Sequence, residues 1–262
     1  MYNLSILSMF KNESMIIEEW INHYLKEGID HFYLIDNGST DDYIEKIRKY
    51  EINITLVKDG TRLPTGTQTF LYNKIFLEKI KVETKWLIIC DIDEYIYAKN
   101  GNIKIIDVLN KLPENVEKLW LPWKIFGSNG NINQPYNIIK SFTKRKIDYN
   151  NDKGYGKVIC RTKNLNIIGC CGHEVILHNN DIYYNSNGEN LDNFDFRSEN
   201  CNKLNLQLNH YMVMSEEYYT NVKCIRGGGE SGNSIKYNIN FFREYDKNYN
   251  EIDDFELSNK LY

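Results

Sequence analysis

An apolar run, Trp86-Leu87-Ile88-Ile89-Cys90, breaks into Asp91-Ile92-Asp93-Glu94, placing three carboxylates in four positions. Carboxylates at i and i+2 can both reach one divalent cation if the chain turns at the strand end and defeats the usual alternation. A hard ion such as Mn²⁺ or Mg²⁺ keeps coordination sites open for water and phosphate oxygens, which suits a diphosphate leaving group. The apolar run is too short for a helix and reads as a buried strand. Ligands of open α/β sheets bind beyond the carboxyl ends of such strands. Taken alone, the acidic pattern is short and equally describes a solvated turn.

Other residues have chemistry to offer at similar places. Asp36 ends an apolar run, where its carboxylate can accept the imide N–H of a pyrimidine base; the following Asn37-Gly38-Ser39-Thr40-Asp41 also reads as a turn and a helix cap. Trp120, Trp123 and Phe126 precede Gly127-Ser128, as sugar-stacking aromatics often do, though tryptophans are equally ordinary core residues. His210 is in phase with Leu204, Leu206 and Leu208, either as a core histidine or as a third ligand answering the acidic turn. Lys223 and Arg226 share a helix face near a glycine run; they suit the helix dipole and equally a phosphate clamp.

The elements that must position these groups follow from periodicity. Residues 4–10 read as a first strand, followed by a helix carrying Ile16, Ile17, Trp20, Ile21, Tyr24 and Leu25 and capped by Gly28. A strand at 31–35, a helix through Tyr43 and Ile47, and a strand at 54–57 come next. After a loop holding Arg62 and Pro64, a helix presents Leu71, Ile75 and Ile80 to the core and a stripe of Gln68, Tyr72, Phe76 and Lys79 to solvent. The first hundred residues thus alternate strand and helix up to the Asp91 strand, which predicts a mostly parallel sheet with helices on both faces. Beyond Pro113, strands are expected at 118–126, 157–161, 165–169, 175–177, 181–184 and 204–211. A helix opens at Ser215, and a peripheral one follows 238.

The 262 residues suffice for one domain, expected over 1–262, with a nucleotide-binding half at 1–100, an acceptor-side half at 101–214 and a helical segment at 215–262. Net charge is −4 with no basic block, which argues against nucleic acid as a partner. The chain opens directly into a strand, and no apolar run is long enough to span a bilayer, so a cytoplasmic location without a transmembrane segment is expected. Six cysteines, including Cys90, Cys160 and the pair Cys170-Cys171, form no Cys-x-x-Cys, which predicts reduced thiols.

In order along the chain stand Lys11-Asn12-Glu13, Glu19-Trp20, Gly28-Ile29-Asp30-His31-Phe32-Tyr33-Leu34-Ile35-Asp36-Asn37-Gly38-Ser39-Thr40-Asp41, Gln68, Lys85-Trp86 and Asp91-Ile92-Asp93-Glu94. Phe126-Gly127-Ser128, Lys157, His173, His210-Tyr211, Ser215, Lys223 and Arg226-Gly227 complete the set. The ordered set resembles glycosyltransferases of the GT-A fold in the family 2 and family 92 neighbourhood. The resemblance implies an α/β GT-A fold and a transferase that moves a sugar from a nucleotide-diphosphate donor, a UDP-sugar, with inversion. The acceptor would be a hydroxyl on a glycan, a lipid-linked sugar or a protein. By the same resemblance Asp91, Asp93 and His210 would hold Mn²⁺ or Mg²⁺. Asp36, Asp91, Arg62, Gln68, Lys223 and Arg226 would contact the nucleotide sugar, and Trp123, Phe126, Gly127, Ser128 and His173 the sugar or acceptor.

Inversion requires a base to take the acceptor proton. Glu174, beside His173, is the expected one, with Asp148 and Asp152 as alternatives. A sugar-1-phosphate nucleotidyltransferase is disfavoured because 9–13 lacks a glycine-rich phosphate loop. A non-catalytic carbohydrate-binding protein would predict a broken acidic motif, and that motif is intact.

Overall fold

Strand β1 (Tyr2–Phe10) starts a β-α alternation with α1 (Ile17–Lys26), β2 (His31–Asp36), α2 (Tyr43–Ile47) and β3 (Ile54–Lys58). A helical stretch follows in three parts, α3 (Thr67–Leu71), a π-turn at Tyr72–Phe76 and α4 (Leu77–Glu83), and leads into β4 (Thr84–Ile89). The computed structural model describes residues 1–99, 101–149, 156–169, 172–180, 182–227 and 237–260.

The second half contributes β5 (Glu94–Ala98), α5 (Ile105–Leu109), β6 (Lys118–Ile125), α6 (Ile138–Ser141), β7 (Lys144–Arg145), β8 (Gly156–Arg161), β9 (Leu165–Ile168) and β10 (Val175–Leu177). It continues with α7 (Ser198–Cys201), β11 (Leu206–His210), α8 (Glu216–Tyr218), α9 (Cys224–Arg226), α10 (Ile239–Asp246) and β12 (Ile252–Asp253). The main sheet has eight strands in the order β3-β2-β1-β4-β8-β6-β11-β5. The first four are mutually parallel, β6 is parallel to β11, and β8 and β5 run against their neighbours. The expected mostly parallel α/β sheet is therefore present.

Burial explains the strand sequences. Every residue of β2, β5, β6 and β11 is buried, so these strands show continuous apolar runs or internally satisfied polar groups, not alternation. Helix α1 packs beneath the turn after β4. There the fully buried Trp20 indole N–H donates to the carbonyls of Asp91 and Glu94, each at 3.1 Å. The Tyr24 hydroxyl donates to the Glu94 carbonyl and accepts from Ile96 N–H, both at 3.0 Å. The Glu19-Trp20 pair thus ties the acidic turn to the helix that covers it, while Glu19 itself accepts from the Ile138 N–H at 2.5 Å.

Three local expectations change. The stripe Gln68, Tyr72 and Phe76 is buried, whereas Ile75 is only half-buried, because the π-turn adds a residue and rotates the helix face. Strand β5 follows the acidic motif without an intervening helix, an element the periodicity did not announce. Of the strand expected at 181–184, Tyr184 makes an isolated bridge to Leu119, and residue 181 lies outside the described residues. Cys90, Cys160 and Cys201 are buried free thiols and Cys224 is half-buried, while Cys170 and Cys171 lie outside the described residues. Among the described residues no helix is long and apolar enough to cross a membrane.

Candidate active site

The turn between β4 and β5 is closed by the Glu94 N–H on the Asp91 carbonyl at 3.1 Å and by the Asp91 N–H on Glu94 Oε2 at 2.8 Å. Its far side is pinned by the Tyr211 N–H on the Asp93 carbonyl at 2.9 Å. The turn overrides strand alternation, so Asp91 and Asp93 both face a cavity of about 820 Å³.

The two carboxylates have different neighbours. Asp91 Oδ1 accepts from Gln68 Nε2 at 3.0 Å and Oδ2 from the wholly buried Lys157 ammonium at 2.9 Å. Burial alone would raise the Asp91 carboxyl, but Lys157 outweighs it and holds it below the ordinary range. Lys157 is also 3.6 Å from Glu94, whose Oε1 has no hydrogen-bond partner among the described residues. Burial pushes the Glu94 carboxyl well above the ordinary value, a rise that Lys157 opposes and Asp91 and Asp93 reinforce. A protonated Glu94 leaves the buried trio electrically neutral.

Asp93 Oδ2 lies 2.5 Å from the Lys223 ammonium and 3.6 Å from His210 Nε2. Burial pushes its carboxyl up as well; Lys223 and then His210 outweigh this and hold it well below the usual range. Lys223 also donates to the Met212 carbonyl, and His210 packs on Trp123 with ring centroids 4.3 Å apart.

Arg62, Gln68, Trp123, His173 and Arg226 join Asp91, Asp93, His210 and Lys223 in lining the cavity. Lys11 lines it too, its ammonium pushed down by partial burial and by the neighbouring Arg62. Arg226 pairs with the buried Glu13, which also accepts from the Tyr218 hydroxyl at 2.6 Å. Lys11 and Glu13 of one short motif thus both line the cavity, and Glu13 also anchors an arginine of its wall.

Other expected site residues are turned elsewhere. Asp36 is buried, with Oδ1 accepting from the Ser39 N–H and Oδ2 from the Tyr43 hydroxyl, each at 2.7 Å. It braces the loop whose Asn37 lines the cavity in its place. Ser128 gives its N–H and hydroxyl to Asp246 at 2.6 and 2.7 Å, Gly127 leaves room only for the Asn250 side chain, and Phe126 packs on Tyr211. That loop therefore holds α10 and does not line the cavity.

Glu174 is exposed and not among the lining residues, because its neighbour His173 takes the inward position. His173 Nδ1 donates to the Gly156 carbonyl at 2.6 Å, and burial, with the Lys157 charge nearby, pushes the imidazole down to about 4. Asp148 is exposed and accepts from the Ser198 hydroxyl at 3.1 Å, while Asp152 lies outside the described residues. The aromatics of α10 and its C-terminal turn, Phe241, Tyr245 and Tyr249, were not anticipated at the site. Their i, i+4 spacing was the available signal.

The donor chemistry allows a test of the implied divalent ion. Among the described residues no three His, Cys, Asp or Glu side chains gather into a metal centre. Among the described residues Asp93 and His210 converge at 3.6 Å, and adjacent ligands about 2.1 Å from one octahedral ion stand about 3 Å apart, so the two reach one ion after a side-chain shift of about half an ångström. Mg²⁺ and Mn²⁺ commonly take one or two protein ligands and complete their shell with water and substrate phosphate. The pair fits such an ion; Asp91, committed to Lys157 and Gln68, stands beside it.

An acidic turn at the carboxyl end of a parallel half-sheet opens on a cation-lined cavity, as the resemblance to GT-A glycosyltransferases implied. The chain belongs to glycosyltransferase family 92, whose profile matches residues 4–261. No curated protein sequence matches it. Among solved structures it is similar to S. aureus TarS 1-349, at 19% identity and a TM-score of 0.40 over 61% of this chain and 47% of that one. Glucosyl-3-phosphoglycerate synthase from Mycobacterium tuberculosis, solved with Mn²⁺ and uridine-diphosphate-glucose, matches at 19% identity and a TM-score of 0.30 over 48% of this chain and 43% of that one. The chain spans less than half the length of either solved chain.

Proposed function

We propose that the protein transfers a sugar from a UDP-sugar to an acceptor hydroxyl, with inversion and with Mn²⁺ or Mg²⁺ as cofactor. The observation that carries this reading is the convergence of Asp93 and His210, 3.6 Å apart, within a cavity also lined by Lys11, Arg62, Lys223 and Arg226. Asp93 and His210 would hold the ion, which when bound supplies Lewis-acid charge to the departing diphosphate. Lys11 and Arg62 would balance the remaining phosphate charge, and Lys223 and Arg226 would add to it as the ion and the diphosphate draw them from Asp93 and Glu13. Lys157 and Gln68 fix the Asp91 carboxylate beside them, and Trp20 holds the backbone of the turn.

The base assignment moves from Glu174 to His173. With Nδ1–H on the Gly156 carbonyl, His173 carries its lone pair on Nε2 and lines the cavity, which is what supports the role; its lowered pKa keeps it neutral at physiological pH but weakens it as a base. Asp36 acts on the donor indirectly, by setting the loop from which Asn37 Nδ2 holds the carbonyls of Asp59 and Thr61, next to Arg62.

The test is a panel of UDP- and GDP-sugars screened by thermal shift and donor hydrolysis, with Mn²⁺ or with EDTA. A UDP-sugar is expected to stabilise the protein only with the metal. Stabilisation that survives EDTA, or that is confined to GDP-sugars, contradicts the proposal.

A further inference from the structure

His173 enters the cavity from the turn between β9 and β10. Among the described residues these two strands pair only with each other, as a small sheet apart from the main one. A two-stranded hairpin is marginal by itself, so what it packs on decides where it sits. Leu165, Ile168, Val175 and Leu177 on its inner face join the same apolar cluster as Phe76 and Ile80 of the helical stretch after β3. Apolar contact has no direction and alone would let the hairpin slide along that stretch.

Directional bonds prevent the slide. Asn73, in the π-turn, donates from Nδ2 to the Ile168 carbonyl at 2.7 Å and accepts the Ile168 N–H on Oδ1 at 3.0 Å. Nδ2 also donates to the Thr69 carbonyl at 2.7 Å, so both sides of the amide are engaged and its plane is fixed. The Thr69 hydroxyl adds a bond to the Gly169 carbonyl at 3.4 Å. The turn itself is closed by the Gly169 N–H on the Glu174 carbonyl at 2.9 Å and the Gly172 N–H on the Gly169 carbonyl at 3.1 Å. Gly172, at φ +75°, lies so close to Ile89 that a β-carbon there would clash with it, which seats the turn on the end of β4.

The same helical segment reaches the acidic turn. Gln68 Nε2 holds Asp91 Oδ1 and, at 2.7 Å, the Tyr72 hydroxyl, which accepts from the Met9 N–H at 2.9 Å. Two amides of one short segment therefore grip two parts of the site, Gln68 the acidic turn and Asn73 the hairpin that carries His173. The imidazole reaches across to the Gly156 carbonyl at the start of β8. A hairpin displaced along the helix would lose that bond and turn Nε2 away.

We propose that Asn73 is a positioning residue for His173: its amide fixes the β9–β10 hairpin to the segment whose Gln68 holds Asp91, and so sets the imidazole at a constant place relative to the acidic turn. This role deepens, and presupposes, the reading of His173 as the base of a glycosyl transfer.

The test uses the full chain. The ring ¹⁵N shifts of His173, assigned with His173→Gln, report its tautomer near neutral pH without any ligand; initial rates and calorimetry of Mn²⁺ with UDP are measured alongside. The wild type is expected to show the Nδ1–H form alone. Asn73→Ala should give mixed tautomers and lower kcat about tenfold or more, as misplacement of a reacting group does, with donor KM and UDP affinity unchanged. Thr69→Val, a milder cut at the same clamp, should move both in the same direction by less, and it decides the matter if Asn73→Ala does not fold. A fall in melting temperature with the tautomer and kcat unaltered overturns the proposal, because the clamp would then be purely structural. A parallel loss of UDP affinity also overturns it, by placing the effect at Asp91. Mixed tautomers with kcat intact support the placement by Asn73 and strike the base assignment instead. A wild type without transfer activity strikes the transferase reading, and the ring spectrum still judges Asn73.

Discussion

The Lys223 ammonium and Asp93 Oδ2 are 2.5 Å apart across 130 residues of sequence, and the same oxygen faces His210 at 3.6 Å. A divalent ion on Asp93 and His210 must therefore share Asp93 with Lys223 or displace it. Either way the positive charge beside Asp93 is what makes its burial tolerable.

Replacing Lys223 by methionine leaves Asp93 buried without its partner, a loss of roughly 3–5 kcal/mol for a broken buried pair. Thermal unfolding in EDTA should show the drop, and Mn²⁺ should restore much of it by taking the place of the ammonium. A variant as unstable with Mn²⁺ as without it speaks against metal binding at Asp93.

Asp93→Asn should remove metal-dependent stabilisation by UDP and lower transfer by roughly a hundredfold or more, the scale of losing a main electrostatic stabiliser. Isothermal titration of Mn²⁺ with UDP, alongside initial rates, checks both. Unchanged nucleotide affinity would exclude the assigned role.

The low pKa of the Asp93 carboxyl has a sign in pH–stability data. Its folded value lies below the unfolded one, so the unfolded state binds more protons, and the stabilisation is complete above the ordinary aspartate value. It should be lost as pH falls from about 4 downward. Denaturant titrations from neutral pH into acid should show wild type and Asp93→Asn converging at the acid end; a gap that widens there contradicts the ion pair.

His173→Gln should lower kcat by about 10²-fold or more, with little effect on donor affinity, as expected for loss of a general base. Glu174→Gln, altering an exposed side chain outside the cavity, should leave kcat nearly intact. The reverse order would return the base to Glu174.

Trp20→Phe removes the indole N–H from the carbonyls of Asp91 and Glu94 while retaining an aromatic ring. Each carbonyl keeps another donor, the Glu94 N–H on Asp91 and the Tyr24 hydroxyl on Glu94, so the loss is about 0.5–1.5 kcal/mol per hydrogen bond. Mn²⁺-dependent UDP affinity should weaken although no ligand is touched, and a variant destabilised with unaltered affinity would make Trp20 purely a core residue.

Local order was legible in the sequence. The alternation of strand and helix through β4, the turn chemistry after β2 and the acidic turn at 91–94 depend on periodicity and on residue types close in sequence, and all appear where expected. Lys223 and His210 could be proposed one by one for the same reason.

The direction each side chain takes needed the tertiary structure. A one-residue difference in phase turns His173 inward and Glu174 outward, and a π-turn carries Tyr72 and Phe76 into the core. Asp36 and Ser128 find partners in Tyr43 and Asp246 that leave them bracing the site without lining it. The amino-acid order alone determined the fold class and the acidic turn, because short-range preferences are written residue by residue. Which cation meets Asp93, which histidine enters the cavity and what covers its far wall were decided only by packing, since those contacts join distant segments whose register no local signal contains.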